Sequence, residues 1–348
     1  MTDATIEELH VTTDRLRTRV LERGGPSARR TLVLIHGNVS SADFWRPTMA
    51  ALDSDIRALA IDLRGFGGSE PRDVDATRGV RDFSDDVAAA LDTIGVGRAD
   101  VVGWSMGGGV AMQLLIDRPE LVSSLTLVSP VSPYGFGGTA GADGRRLTAD
   151  GAGTGGGGAN PDFVARLAAG DRTDEAATSP RSVYRASYVV DAATAEGSED
   201  EWVDAMLTTR TGEGAYPGDA VPSEAWPGFA AGSRGVLNTM SPRWFDTSGI
   251  VDVDPKPPVL WVHGDQDAIV SDASMFDLNR LGELGIVPGW PGAEVAPAQP
   301  MVAQTRAVLD AYAARGGAVR ELVLEGCGHS AHLERPDAFR AALAAHLA

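Results

Sequence analysis

The 348-residue chain has one cysteine, Cys327. A disulfide within the chain and a cysteine-based metal site are both excluded, and a reducing, cytoplasmic setting is the expectation. Positive charge is also scarce: 30 Lys and Arg stand against 48 Asp and Glu, a net charge of −18. Such a field repels phosphate backbones and anionic membrane surfaces, so neither nucleic acid nor membrane is an expected partner. No apolar run reaches the length needed to cross a bilayer. The opening stretch, MTDATIEELHVTTD, lacks the basic and apolar regions of a secretory signal. The 6 histidines include no H-E-x-x-H or comparable spacing, so no metal site is expected. What remains is 43% hydrophobic and 22% charged. That is ordinary for a folded protein, and the length suits one large α/β domain with insertions or two small domains.

Strand-like and helix-like segments alternate through the first third of the chain. RLRTRVLE at 15–22 alternates as a half-buried strand does, and TLVLI at 31–35 is a continuous apolar run of the kind a strand buried on both faces carries. A helix is expected over 43–52, a strand over 56–61, and a helix over 80–94, where Phe83, Val87, Leu91 and Ile94 recur every three or four residues. SLTLV at 124–128 is the next strand. This rhythm builds a mostly parallel central sheet flanked by helices. It stops near Pro130. The segment 134–254 is rich in Gly, Ala and acidic residues without strand alternation, and reads as an insertion above the sheet. Within it, GAGTGGGG at 151–158 satisfies G-x-G-x-x-G, but no strand precedes it, so a mobile loop is expected and no cofactor. The sheet resumes with PVLWV at 258–262 and a strand over 319–324, and a helix over 336–347 closes the chain.

The most informative stretch is ADVVGWSMGGGVA at 99–111. Gly103-Trp104-Ser105-Met106-Gly107 fits G-x-S-x-G between an expected strand and an expected helix starting at 109. A nucleophilic serine needs that setting, because a sharp strand-to-helix turn lifts its hydroxyl above the sheet edge. A Cβ at Gly103 or Gly107 would crowd so tight a turn. Serine is a poor nucleophile at neutral pH and needs a base, with a third group to fix the tautomer of that base. His329 and Asp267 each follow an expected strand, and sites in open α/β sheets are built at such strand ends.

Five segments, VLIHGN at 33–38, DLRGFGGS at 62–69, GWSMGG at 103–108, VHGDQDAIV at 262–270 and GCGHSAHLERP at 326–336, carry a resemblance to the α/β-hydrolase superfamily. The resemblance implies an α/β-hydrolase fold with its core at 1–133 and 255–348, a large inserted cap at 134–254, and a further core insertion at 273–317 with a Pro-rich loop. It also implies Ser105 as nucleophile, His329 as base and Asp267, not Asp265, as acid. The backbone N–H groups of Asn38 and Met106 would form the oxyanion hole. His332 is the rival base. His36 and His263 read as structural, Asp265 as a solvated turn carboxylate, and Cys327 as a small residue in a tight turn.

A serine can form an acyl-enzyme with an ester, thioester, lactone or activated ketone. The expected activity is that of a serine hydrolase (esterase or lactonase) acting on a moderate, largely apolar carboxylic ester or lactone, with that small molecule as its partner. Carbon–carbon hydrolysis of a vinylogous diketone by the same triad is the alternative. A non-catalytic ligand receptor on the same fold is an alternative of another class, since fold alone does not establish activity. The candidate substrate contacts are Tyr188, Trp202, Trp226 and Trp244 in the insertion, and Trp290 in the loop at 285–300, which is expected to wall the pocket.

Overall fold

In the computed structural model, which describes residues 5–348, the backbone builds an eight-stranded sheet. The first four residues of the polar N-terminal stretch lie outside the described residues. The strands are β1 (Ile6–Thr12), β2 (Arg17–Arg23), β3 (Arg30–Ile35), β4 (Ile56–Ile61), β5 (Ala99–Trp104), β6 (Val122–Val128), β7 (Val259–Gly264) and β8 (Val319–Leu324). Their spatial order is β1-β2-β4-β3-β5-β6-β7-β8. The β1–β2 and β2–β4 pairs are antiparallel, and every pair from β4 across to β8 is parallel.

The parallel strands β4, β5 and β7 are buried along their whole length, as mostly apolar strands covered on both faces are. Edge strand β1, IEELHVT, was not expected from the sequence. It is half solvated, so it carries little apolar signal, and seven register pairs with β2 hold it in place. Sequential strands β3 and β4 run away from β5, so the sheet reverses direction between β3 and β5. Parallel sheets place ligands outside the strand ends at such a switch point.

Three helices pack on this sheet where their apolar spacing placed them. Helix α1 (Arg81–Ile94) ends on Gly95 in the left-handed region, whose N–H returns to Asp92 and Leu91 carbonyls. Helix α2 (Met106–Asp117) begins directly after Ser105, three residues before the expected start, because the glycines tolerate the tight entry. The closing helix Pro336–Leu347 buries Phe339, Leu343 and Leu347. The expected helix over 43–52 is found in part: a 3-10 turn, Ala42–Trp45, leads into a short α-helix, Arg46–Ala50, with Pro47 near its start.

Between β6 and β7 the chain adds no strand to the large sheet. This stretch forms α3 (Pro161–Ala169), a turn of helix running to Tyr188, α4 (Glu199–Leu207) and three small two-stranded pairings. The glycines at 151–158 serve close packing here: Gly156 N–H donates to the buried Asn238 Oδ1 at 2.9 Å, and a Cβ on Gly156 would lie 2.6 Å from the Gly218 carbonyl oxygen. The Pro-rich stretch at 285–300 is irregular, as its prolines require, and runs between the helical segments Leu278–Glu283 and Met301–Ala314.

Candidate active site

The turn from β5 into α2 is made by glycine. A Cβ on Gly103 would collide with the Gly107 carbonyl, and one on Gly107 with the carbonyls of Ile35 and His36. Between them Ser105 takes φ +56 and ψ −122, a conformation that costs a non-glycine residue about 1–3 kcal/mol. Backbone bonds hold it there: Ser105 N–H donates to Val128 O at 2.9 Å, and Ser105 O accepts from Gly108 N at 2.9 Å and Val131 N at 3.0 Å. The side chain is therefore held out from the strand end, half-buried.

At the head of β3, a Cβ built on Gly37 would lie 2.9 Å from the Ser105 Cβ, so this loop runs against the nucleophile turn. His36 is fully buried and orders the loop. Its Nδ1 donates to Gly37 O at 2.7 Å while its Nε2 accepts from Leu63 N at 3.0 Å, and burial lowers its pKa, leaving it neutral. The next residues are Asn38 and then Val39, which has φ +47. For a β-branched side chain that region is an outlier costing about 1–2 kcal/mol. Among the described residues, neither the Asn38 N–H nor the Met106 N–H donates a hydrogen bond. Met106 opens α2, where the helix dipole favours negative charge. Two unpaired N–H groups thus lie beside Ser105.

Asp267 and His329 meet at the heads of β7 and β8. Imidazole Nδ1 donates to Asp267 Oδ2 at 2.8 Å, and Asp267 Oδ1 accepts from Ile269 N at 2.8 Å and Val270 N at 2.9 Å. Both residues are buried. The carboxylate is fixed by two N–H groups, so it fixes the tautomer that leaves His329 Nε2 as an acceptor. The fully buried Trp104 ties this loop to the nucleophile turn, since its indole N–H donates to His329 O at 2.9 Å. No hydrogen bond joins the Ser105 hydroxyl to His329 among the described residues. Such bonds commonly tighten only with substrate bound.

The competing residues have other roles. Asp265 is exposed and its Oδ1 accepts from Gly326 N at 2.7 Å, bracing the turn before His329. His332 is enclosed by Trp45, Trp104 and Phe339, with both ring nitrogens unpartnered, and burial lowers its pKa to about 3. His263 stacks on Trp261 and bonds Glu321. Cys327 is buried, and desolvation pushes its thiol up to about 12.

The five aromatic candidates separate. Tyr188 and Trp202 pack with Phe44 around Trp104 (Trp202 to Phe44, 4.9 Å between ring centroids; Tyr188 to Trp104, 5.9 Å). Trp226 and Trp290 both lie against Gly282, and their indole N–H groups donate to Pro288 O at 3.0 Å and Ala296 O at 2.9 Å. Trp244 donates to Gly232 O at 2.9 Å beneath the Arg243 guanidinium.

Sequence reasoning passed over Glu334. Its buried carboxylate accepts from Gly328 N at 2.8 Å and Val190 N at 2.7 Å, joining the His329 loop to the inserted segment. Its one signal was its place five residues after His329 in GCGHSAHLERP.

A family model described as alpha/beta hydrolase fold matches residues 30–146. Over 124 residues the chain is 40% identical to the dihydrolipoyllysine-residue acetyltransferase component of the acetoin cleaving system of Cupriavidus necator, covering 36% of this chain and 31% of that protein. Over 117 residues it is 38% identical to a 2-hydroxymuconate semialdehyde hydrolase of Pseudomonas sp. strain CF600, covering 32% of this chain and 40% of that one. The chain thus spans less than half the length of these curated relatives. The likeness in fold is longer: carboxylesterase CesB (YbfK) from Bacillus subtilis aligns with 99% of this chain and 92% of its own, at a TM-score of 0.60 and 18% identity.

Proposed function

The chain has the alpha/beta hydrolase fold, and from that premise we propose that it is a serine hydrolase cleaving a carboxylic ester or lactone of moderate size through an acyl-enzyme. The observation that carries the reading is the Asp267–His329 pair, buried and bonded at 2.8 Å, tied through Trp104 to the strained turn that bears Ser105.

In this reading His329 Nε2 takes the Ser105 proton as Oγ attacks the substrate carbonyl carbon. The developing oxyanion is met by the N–H groups of Asn38 and Met106, which need no reorganisation. Collapse breaks the carbonyl–oxygen bond, and the alkoxide leaves with the proton held on His329. A water then repeats the sequence, and hydrolysis releases the acid and restores Ser105. Asp267 keeps the imidazole oriented and stabilises its charged form.

The segment 134–254 acts here as a cap. His329 is 2% and Tyr188 7% exposed, so the seated segment keeps bulk water from the base. The loop at 285–300, clamped to Trp226 of that segment, forms a second wall with Trp290. Replacing this loop with a short linker should change substrate preference; an unchanged preference would remove it from the pocket. The single buried cysteine is compatible with a reducing, cytoplasmic compartment.

Carbon–carbon hydrolysis of a vinylogous diketone is the second reading, supported by the match to the 2-hydroxymuconate semialdehyde hydrolase. One experiment tests both: a panel of aryl esters, lactones and vinylogous diketones, with intact-mass detection of an acyl adduct and labelling by a serine-directed fluorophosphonate. Ester or lactone turnover, labelling and an adduct, all lost in Ser105→Ala, are expected. Turnover of the diketone alone would select the second reading. A folded chain that takes no label would point to a ligand receptor.

A further inference from the structure

Tyr188 is a point at which the inserted segment meets the Asn38–Val39 turn, Trp104 and the His329 loop. Its hydroxyl donates to the carbonyls of Asn38 at 3.0 Å and Val39 at 3.1 Å, one proton shared between two acceptors. Its ring stands edge-on to Trp104 and to His329, with centroids 5.9 and 6.2 Å away. Its own carbonyl accepts from Ser330 N at 2.9 Å. The sequence suggested a substrate contact. A hydroxyl already committed to two backbone carbonyls is poorly placed to serve a ligand as well.

Those carbonyls flank the strained residue of the oxyanion loop. Val39 is left-handed, and a β-branched residue released from outside restraint relaxes to negative φ. Relaxation would rotate the peptide planes on both sides of Val39 and disturb the loop that holds the unpaired Asn38 N–H against the Ser105 turn. We propose that Tyr188 is a positioning residue for the oxyanion site: its hydroxyl holds the Asn38–Val39 turn in the geometry that offers the Asn38 N–H to the substrate carbonyl. The restraint comes from a segment remote in sequence, so the oxyanion site is complete only while that segment is seated. Covering the substrate and readying its carbonyl for attack are then one event. Ser330 N–H on the Tyr188 carbonyl, and Glu334 on Val190 N and Gly328 N, tie the His329 loop into the same unit.

The inference rests on the acyl-transfer reading, and its test separates the two. Tyr188→Phe removes the hydroxyl and keeps the ring. With a p-nitrophenyl ester, kcat should fall about ten- to a hundredfold while KM stays within about threefold, since losing one oxyanion donor outright costs roughly 10²–10³. An aryl boronic acid, whose serine adduct is tetrahedral and anionic, should weaken by the same factor as kcat. In the Tyr188→Phe background, Val39→Gly should recover part of the loss, because glycine takes positive φ without strain. All rates are taken well below the melting temperature of each variant, so altered stability is read separately. An unchanged kcat in Tyr188→Phe, a lowered kcat with undiminished boronic acid affinity, or a Val39→Gly change that deepens the loss would each overturn the role given to Tyr188. Absence of fluorophosphonate labelling in the wild type would instead overturn the acyl-transfer reading, and this inference with it.

Discussion

His329 and His332 stand three residues apart at the head of β8, both buried, and their surroundings could hardly differ more. His329 donates to a carboxylate that two N–H groups hold in place. His332 sits among aromatic rings with no partner for either nitrogen. Burial alone drives an imidazole to its neutral form; burial beside a fixed carboxylate keeps the charged form within reach. The partnerless setting of His332 suits packing, and the carboxylate-held setting of His329 is the one the proposed proton transfer requires. Proximity in sequence carries no information about which is which.

The comparison is broken most directly by activity. His329→Ala and Ser105→Ala should each lower kcat by at least about 10⁴-fold with an ester substrate, whereas His332→Phe should stay within about tenfold of wild type. A reversal would transfer the role of base to His332. Next in size is Asp267→Asn, expected to cost about 10³- to 10⁴-fold in kcat, because an amide favours the wrong tautomer of His329. Both effects are read by steady-state kinetics on folded protein, with fluorophosphonate labelling rates as a second measure.

Legibility from sequence divides along the same physical line. Strands β3 to β7 were readable because buried parallel strands are mostly apolar; β8, VRELVL, is largely exposed at the far edge of the sheet, yet it and the 56–61 strand match their expected bounds. The turn that carries Ser105 was readable because tight turns demand glycine; Asp267 and His329 were singled out by their places after expected strands and by the family resemblance, and the structure brings those two together at 2.8 Å. The strand at Ile6–Thr12 was not, since a solvated edge needs little apolar content. The helix expected over 43–52 is present only over Arg46–Ala50, because its first turn is taken by a 3-10 turn capped by Ser41. Inside the inserted segment, Tyr188 and Trp226 had equal standing as aromatics. Their difference lies in hydrogen bonds to backbone carbonyls at Asn38 and Val39 in one case and Pro288 in the other, and a carbonyl looks alike on every residue.

The next effect is on stability. His332 is neutral in the folded chain down to about pH 3, while in the unfolded chain it binds a proton below about 6.5. The unfolded state therefore holds the extra proton between these values. The stabilising contribution is complete above about pH 6.5 and declines by roughly 1.4 kcal/mol per pH unit on acidification towards 3. His332→Phe removes that slope and an unpaired buried polar group together. Chemical denaturation at pH 7 and pH 5 should show a wild type that loses about 2 kcal/mol more than the variant between the two. Equal losses would mean that His332 gains a proton or a partner in the folded state.

The smallest expected effect tests the neighbouring carboxylate. Asp265 and Asp267 flank one residue, yet Asp265 is exposed and receives N–H groups from the Gly326–Cys327 turn, while Asp267 is buried against the imidazole. In Asp265→Asn the amide oxygen can still accept from Gly326 N, so the turn keeps its brace and His329 its position. Turnover should stay within about threefold of wild type, and the melting temperature should fall by a few degrees at most, consistent with about 1 kcal/mol for one exposed hydrogen bond. If Asp265→Asn instead matched the loss in Asp267→Asn, the turn before His329 would govern the base as strongly as the carboxylate that touches it, and the two aspartates would have to be treated as one unit.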